Sequence, residues 1–291
     1  MKIKLIISLV GKIPISVRRV IAFLIAKLFY YLSLKHRLIA IHNLMRSFPD
    51  KSLEEIIRIT KESYLSVALV MVEFCDIPSL TKDNLNELIT IRGLDNYTNA
   101  CNEGKGVLLF GAHFGNWEIG NAALAILTRP LSFVYRILDS QLLEGIITTV
   151  RASCGNTSLS KENTMRQMIR LLKKDTTISI LIDQNVAWYG GVFVDFFGRQ
   201  ACTTSGLALL AMHTGAPVLP FFTSRLPDGK YLLEIGEKVD IISSENRKAD
   251  ILSNTQNFTK IIEEHIRQYP EQWFWVHQRW KTKLCQVKQR G

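Results

Sequence analysis

Neither end of this 291-residue chain has an acidic residue. Residues 1–49 hold nine Lys or Arg and no Asp or Glu, and residues 272–291 hold five and none, so the ends carry +9 and +5. Residues 50–271 hold 22 basic against 26 acidic side chains, a body of −4 inside a chain of net +10. Cysteine is scarce: Cys75, Cys101, Cys154, Cys202 and Cys285 are odd in number, far apart and form no C-x-x-C pair. That spacing argues against a disulfide framework or a structural zinc site and fits a reducing compartment. Internal repeats and low-complexity segments are absent, and an apolar share of 47% excludes a disordered or collagen-like chain. A body of roughly 240 residues can bury a full core. A signal peptide is not expected either, because the apolar residues 5–10 stop at Gly11-Lys12 without a small-residue cleavage site.

What the basic N-terminus does have is grease. Residues 20–34 are apolar except for Lys27 and Ser33, and Arg18-Arg19 and Lys35-His36-Arg37 bracket them. Nine Val, Ile, Leu and Phe residues at about −0.3 to −0.6 kcal/mol each nearly cancel the roughly +2.5 to +3.5 kcal/mol of a central Lys. The charge-free run is shorter than the roughly 20 residues of a span. Residues 1–37 therefore read as a basic hydrophobic anchor, lying on an anionic membrane or crossing it short and tilted. A core helix with Lys27 snorkelling is the alternative. Nucleic acid is not expected as a partner, because the body lacks a basic stripe interleaved with aromatics.

Residues 38–291 read as one further domain, with a helical lead-in over 38–100 and an α/β core over 104–285. In the lead-in, Ser52-Leu53-Glu54-Glu55 spells a capping box. In the core, residues 107–112, 131–135, 177–182 and 218–223 are short β-rich runs, and helical stretches separate the first three. The uncharged residues 200–224 parse as a helix opened at Thr203-Thr204-Ser205, stopped at Gly215-Ala216-Pro217 and followed by a buried strand. The alternation predicts an α/β fold, a layered αβα domain with a largely parallel central sheet, preceded by N-terminal membrane-associated helices. Just past the four runs stand His113, Arg136, Asp183 and Arg225. Open parallel sheets keep their ligand site at the carboxyl ends of the strands.

The sharpest local signal is Gly111-Ala112-His113-Phe114-Gly115-Asn116-Trp117-Glu118. On a continuous helix His113 and Glu118 point about 140° apart, so their pairing requires a bend, which Gly115 and Asn116 can supply. An imidazole held by a carboxylate is the arrangement of a general base. Two other readings stay open from the spacing: a strand-end His satisfying a hydrogen bond, and a metal ligand whose third partner would be His213, His265 or His277.

The segment GAHFGNWEIG resembles the H-x4-D/E motif of the lysophospholipid acyltransferase superfamily, in the form of the bacterial lipid A secondary acyltransferases, the lauroyl and myristoyl transferases. The resemblance continues, in chain order, at Val134-Tyr135-Arg136, Asp183-Gln184-Asn185, residues 192–198, residues 215–220 and residues 273–281. Residues 43–49 and the basic N-terminus are also similar. Ile137, Ser140 and Asn185 depart from the family pattern, which leaves the acceptor in doubt and the His113 and Glu118 pair intact.

The resemblance implies a glycerolipid-acyltransferase-like fold on the cytoplasmic face of the inner membrane. It also implies transfer of a fatty acyl chain from acyl carrier protein to a hydroxyl of a lipid A precursor. His113 would be the base and Glu118 its orienter, and none of the cysteines falls in the motif. Neither a cofactor nor a metal ion is expected. Arg136, Asp183, Asn116, Thr203, Thr204 and Arg225 form the expected substrate-binding set. Arg136 and Arg225 suit phosphate groups, and structural pairing of either with Asp183 is the competing reading. Thr203 and Thr204 would open a helix able to receive an anion, or simply cap it. Phe193, Phe196 and Phe197 read as the wall of an acyl channel or as core, and Trp273, Trp275 and Trp280 as packing for the C-terminus or a membrane-interface cluster. Other acceptors left open are another glycolipid, an aminolipid or a lysophospholipid. Acyl coenzyme A is an alternative donor, and a non-catalytic membrane-binding protein an alternative class.

Overall fold

The computed structural model describes residues 2–160 and 164–284. Cys285 and the last part of the basic tail lie outside the described residues. The chain opens with four helices, α1 (Lys2–Gly11), α2 (Ile15–Leu32), α3 (Leu34–Ser47) and α4 (Leu53–Glu73). The Ser52 hydroxyl accepts from the Glu55 amide and the Glu55 carboxylate accepts from the Ser52 amide, which is the expected capping box and the reason α4 starts there. A 3-10 turn (Phe74–Ser79), α5 (Lys82–Leu88), β1 (Ile89–Arg92) and α6 (Leu94–Asn102) lead into the core.

The core then runs β2 (Val107–Gly111), α7 (Trp117–Leu127), β3 (Leu131–Tyr135), α8 (Gln141–Ala152), β4 (Thr157–Ser160), α9 (Thr164–Leu172) and β5 (Thr177–Leu181). A hairpin of β6 (Gly191–Phe196) and β7 (Arg199–Thr204) follows, then α10 (Gly206–Thr214), β8 (Val218–Arg225), β9 (Tyr231–Ile235) and α11 (Arg247–Gln268). Among the described residues the main sheet has the order β1-β9-β8-β2-β5-β3-β4. The fully buried β2 strand at its centre reads as a continuous apolar run, as a strand covered on both faces must.

The expectation of a largely parallel sheet is corrected: the sheet is mixed. The β8 and β9 strands run antiparallel, with Phe221 opposite Ile235 and Arg225 opposite Tyr231. Their connection is Leu226-Pro227-Asp228-Gly229, where the Leu226 carbonyl accepts from the Gly229 amide and Gly229 takes a φ of 84°. Such a tight turn returns the chain beside the strand it has left, where a helix would have carried it over the sheet.

The N-terminal membrane helices are also corrected. Among the described residues no helix is long and apolar enough to cross a membrane. The longest N-terminal candidate, α2, has 18 residues, which span about 27 Å at 1.5 Å per residue against a hydrocarbon core of about 30 Å. It packs along α4, burying Ala22, Ala26 and Tyr30. Arg18, one of the nine basic residues of the N-terminus, is buried: it pairs with Asp76 at 2.7 Å and donates to the Val72 carbonyl at 2.9 Å. The expected inner-membrane placement is corrected with it, since none of the described helices can span a bilayer.

Candidate active site

The register of the sheet sets up the site. β2 and β5 are parallel neighbours with Gly111 opposite Leu181, so the residues two positions beyond each strand, His113 and Asp183, emerge side by side. His113 Nδ1 lies 2.8 Å from Asp183 Oδ1, and Asp183 Oδ2 accepts from the His113 backbone amide at 3.0 Å and from the Trp273 indole Nε1 at 2.9 Å. Asp183 is only 4% exposed. Burial pushes its carboxyl up, but the facing imidazole, the Trp273 indole and the His113 amide outweigh it and hold it down at about 2. An ionised carboxylate can only accept, so Nδ1 carries a proton donated to Asp183. In the neutral ring this leaves Nε2 free to take one.

A glycine makes this arrangement possible. Gly115 has a φ of +55°, and a Cβ there would stand 1.8 Å from the Thr223 carbonyl oxygen. The turn is pinned by the Gly115 amide to the Gln272 carbonyl (2.9 Å) and the Asn116 amide to the Thr223 carbonyl (3.0 Å). The expected bend between His113 and Glu118 is therefore real. It does not bring the two together.

Instead, Asn116 caps α7 by accepting from the Ile119 amide at 3.1 Å, which places Glu118 in the first helical turn, facing α8. There Glu118 meets Arg151 in a two-point ion pair of 2.6 and 3.1 Å. Arg151 in turn lies over the rings of Phe133 and Tyr135, at 5.1 and 5.2 Å. Glu118 also accepts from the Trp117 indole at 3.1 Å, and the Trp117 ring stands edge-on to His113 with centroids 5.3 Å apart. Glu118 thus reaches the imidazole through Trp117, and the carboxylate bonded to His113 is Asp183. Neither Arg151 nor the indole bond of Trp273 was read from the sequence. Arg151 carries no local signal, while Trp273 stood in a cluster read as packing for the C-terminus or as a membrane interface.

His113, Trp117, Glu118 and Gln184 line a cavity of about 940 Å³, and the Gln184 amide nitrogen is 3.5 Å from His113 Nε2. Apolar residues, Val134, Ile147, Met165, Met168, Ile180 and Leu207 among them, make up much of the lining. Arg136, Arg151, Arg166, Tyr135, Thr164 and Thr204 add polar groups to the lining. Arg136 is exposed, with Asp139 at 3.7 Å its one ion pair among the described residues, and Thr204 accepts from the Gly206 amide.

The other expected binding residues are not in the lining. Asn116 is fully buried and donates to Glu73 and to the Tyr231 hydroxyl. Arg225 forms a two-point pair with Glu73 at 2.6 and 2.5 Å, not with Asp183. Thr203 belongs to β7, accepts from Arg279 and is fully buried, and the helix after it begins only at Gly206. Phe196 and Phe197 pack in the core against Trp273, Trp275 and Trp280, so these five rings serve packing. His265 stacks on Phe222, and His277 Nε2 accepts from the Asn185 amide at 2.8 Å. Among the described residues no three His, Cys, Asp or Glu side chains converge to hold a metal ion.

A family model described as bacterial lipid A biosynthesis acyltransferase matches residues 3–282. This chain belongs to that family. It is 30% identical over 247 residues to the lipid A biosynthesis palmitoleoyltransferase of Escherichia coli (strain K12), covering 84% of this chain and 78% of the relative. It is 28% identical over 254 residues to the lipid A biosynthesis lauroyltransferase of the same organism, covering 86% and 81%. A phosphatidylinositol mannoside acyltransferase of Mycolicibacterium smegmatis (strain ATCC 700084 / mc(2)155) is 25% identical over 235 residues, covering 79% and 74%. The chain is thus an acyltransferase of the lipid A and glycolipid type, and its partners are an acyl donor and a lipid acceptor.

Proposed function

We propose that this acyltransferase moves a fatty acyl chain from an acyl carrier protein thioester to a hydroxyl of a lipid A precursor, with His113 as general base. The observation that carries the reading is the His113–Asp183 bond beside a cavity whose lining is in large part apolar. His113 Nε2 takes the proton of the acceptor hydroxyl as its oxygen attacks the thioester carbonyl. The C–O bond forms, the C–S bond breaks, and the departing thiolate recovers the proton from the imidazolium. Asp183 keeps the ring in the productive tautomer and balances the transient positive charge. Glu118 is a positioning residue, holding Trp117 against the ring and Arg151 at the wall. The apolar wall suits an acyl chain, and the exposed Arg136 with Thr204 is offered to the polar part of a substrate. Asn116, Thr203 and Arg225 support the site without touching substrate.

Incubating the purified protein with acyl carrier protein thioester and a lipid A precursor tests this. One added acyl chain in the mass spectrum of the acceptor is expected. No transfer from that donor, with transfer from acyl coenzyme A, would overturn the donor assignment. The similarity to a phosphatidylinositol mannoside acyltransferase favours another glycolipid as the second reading of the acceptor. Lipid profiles of cells lacking the protein separate the two, since the true product loses one chain.

A further inference from the structure

A second concavity, of about 560 Å³, opens between α3, the start of β7 and the C-terminal segment. Five of the side chains lining it are basic or imidazole: His42, Arg46, Arg199, Lys281 and Lys283. No carboxylate is among its lining residues, and among the described residues no ion pair involves His42, Arg46, Arg199 or Lys281. Arg151 and Arg225 each face a carboxylate, at 2.6 and 2.5 Å, whereas the buried Arg279 donates to neutral acceptors, the Cys202 carbonyl and the Thr203 hydroxyl.

Arg199 is the deepest of the set. Its guanidinium lies 3.4 Å from the centroid of the buried Trp280 ring, which fixes the plane of the fork. Its Nη2 reaches only neutral acceptors, the Ser47 hydroxyl at 3.3 Å and the Asn43 carbonyl at 3.5 Å, and its buried Nε has no partner. Burial and the nearby Arg46 push its pKa down to about 10. A half-buried cation beside another cation, without a counter-charge, is held at a cost that an anion in the concavity would offset.

We propose that this concavity binds a phosphoryl group, carried by a lipid or sugar headgroup or present as free phosphate, at a site separate from the acyl cavity. Cations from three separate stretches of chain converge there, which suits a compact anion with several acceptor oxygens. A stacked Arg fork is well matched to phosphate oxygens. The concave shape disfavours the flat, acidic face of a folded protein. The apolar part of the wall, Leu38, Ile39 and Trp280, suits a phosphate attached to something larger. This inference does not rest on the acyl-transfer reading.

Isothermal titration calorimetry of the full chain at low ionic strength tests it, with inorganic phosphate and monomeric dihexanoyl phosphatidic acid as probes. At least one probe should bind, and Arg199→Gln should weaken it about tenfold or more. Arg46→Gln, at an exposed helix position where folding is not at stake, should do the same. Tighter binding of phosphatidic acid would assign the site to a headgroup, and equal binding to the phosphoryl group alone. Binding of neither probe, or binding unchanged in Arg46→Gln, would overturn the proposal. Binding of polyglutamate alone would also overturn it, in favour of an acidic protein partner.

Discussion

His113 Nδ1 and Asp183 Oδ1 stand 2.8 Å apart, joined across two neighbouring parallel strands, although 70 residues separate them in the chain. The pair defines which carboxylate governs the imidazole. Substituting Asp183→Asn keeps the shape but replaces an acceptor-only group with one that can also donate, which favours the wrong tautomer. The turnover number is expected to fall about 100- to 10,000-fold with the fold preserved by circular dichroism. A variant within twofold of wild type would remove Asp183 from the mechanism.

Glu118 has a different consequence. Glu118→Gln strands the enclosed Arg151 charge, and unfolding in urea should show a loss of about 3–5 kcal/mol, the usual result of breaking a buried pair from one side. Replacing both partners, Glu118→Gln with Arg151→Met, should recover part of that loss. Equal stability of the single variant and wild type would mean that the pair does not hold the cavity wall.

Acid should act in two separate windows. Burial lowers the His265 pKa to about 4. As pH falls through about 6.5 the unfolded chain binds a proton that the folded chain refuses, so stability declines between pH 6.5 and 4, by up to about 3 kcal/mol. Asp183 is the opposite type of group with the same acid outcome: its folded value of about 2 lies below the ordinary 3.8, so its contribution is complete above 3.8 and disappears between 3.8 and 2. Urea midpoints from pH 7 to 4 check the first window. His265→Gln should flatten that slope, and an unchanged slope would exclude His265 as its source.

Cavity shape should set chain length. Val134 lies on the apolar wall, and Val134→Phe takes up space there. The variant is expected to lose about 10-fold or more in kcat/KM for long acyl thioesters relative to short ones. A uniform change across chain lengths would place the acyl chain elsewhere.

Much of this was legible because the central strands are largely buried and spell short β-rich runs. The runs at β2, β3, β5 and β8 announce themselves, and with them the strand-end positions of His113 and Asp183. The strand β4, with sequence TSLS, is polar and only partly buried, so nothing in its composition separates it from a loop. Reading Thr203 and Thr204 as a helix start hid the end of β7. The Pro-Asp-Gly turn that makes the sheet mixed was a readable signal.

The site failed differently. Which carboxylate meets His113 depends on the β2–β5 register and on Asn116 starting α7 before Glu118, and neither appears in a motif spacing. The same holds at the N-terminus, where a charge tally cannot show that Arg18 belongs to Asp76, 58 positions away, or that α2 has α4 to cover its alanine face.

The central claim is that His113 takes the proton from the acceptor. It is tested most directly by the single-turnover rate of acyl transfer to the lipid acceptor in purified wild-type and His113→Ala proteins. The expected result is a rate about 100- to 10,000-fold lower in His113→Ala with unchanged thermal unfolding. Transfer by that variant at the wild-type rate would contradict the account.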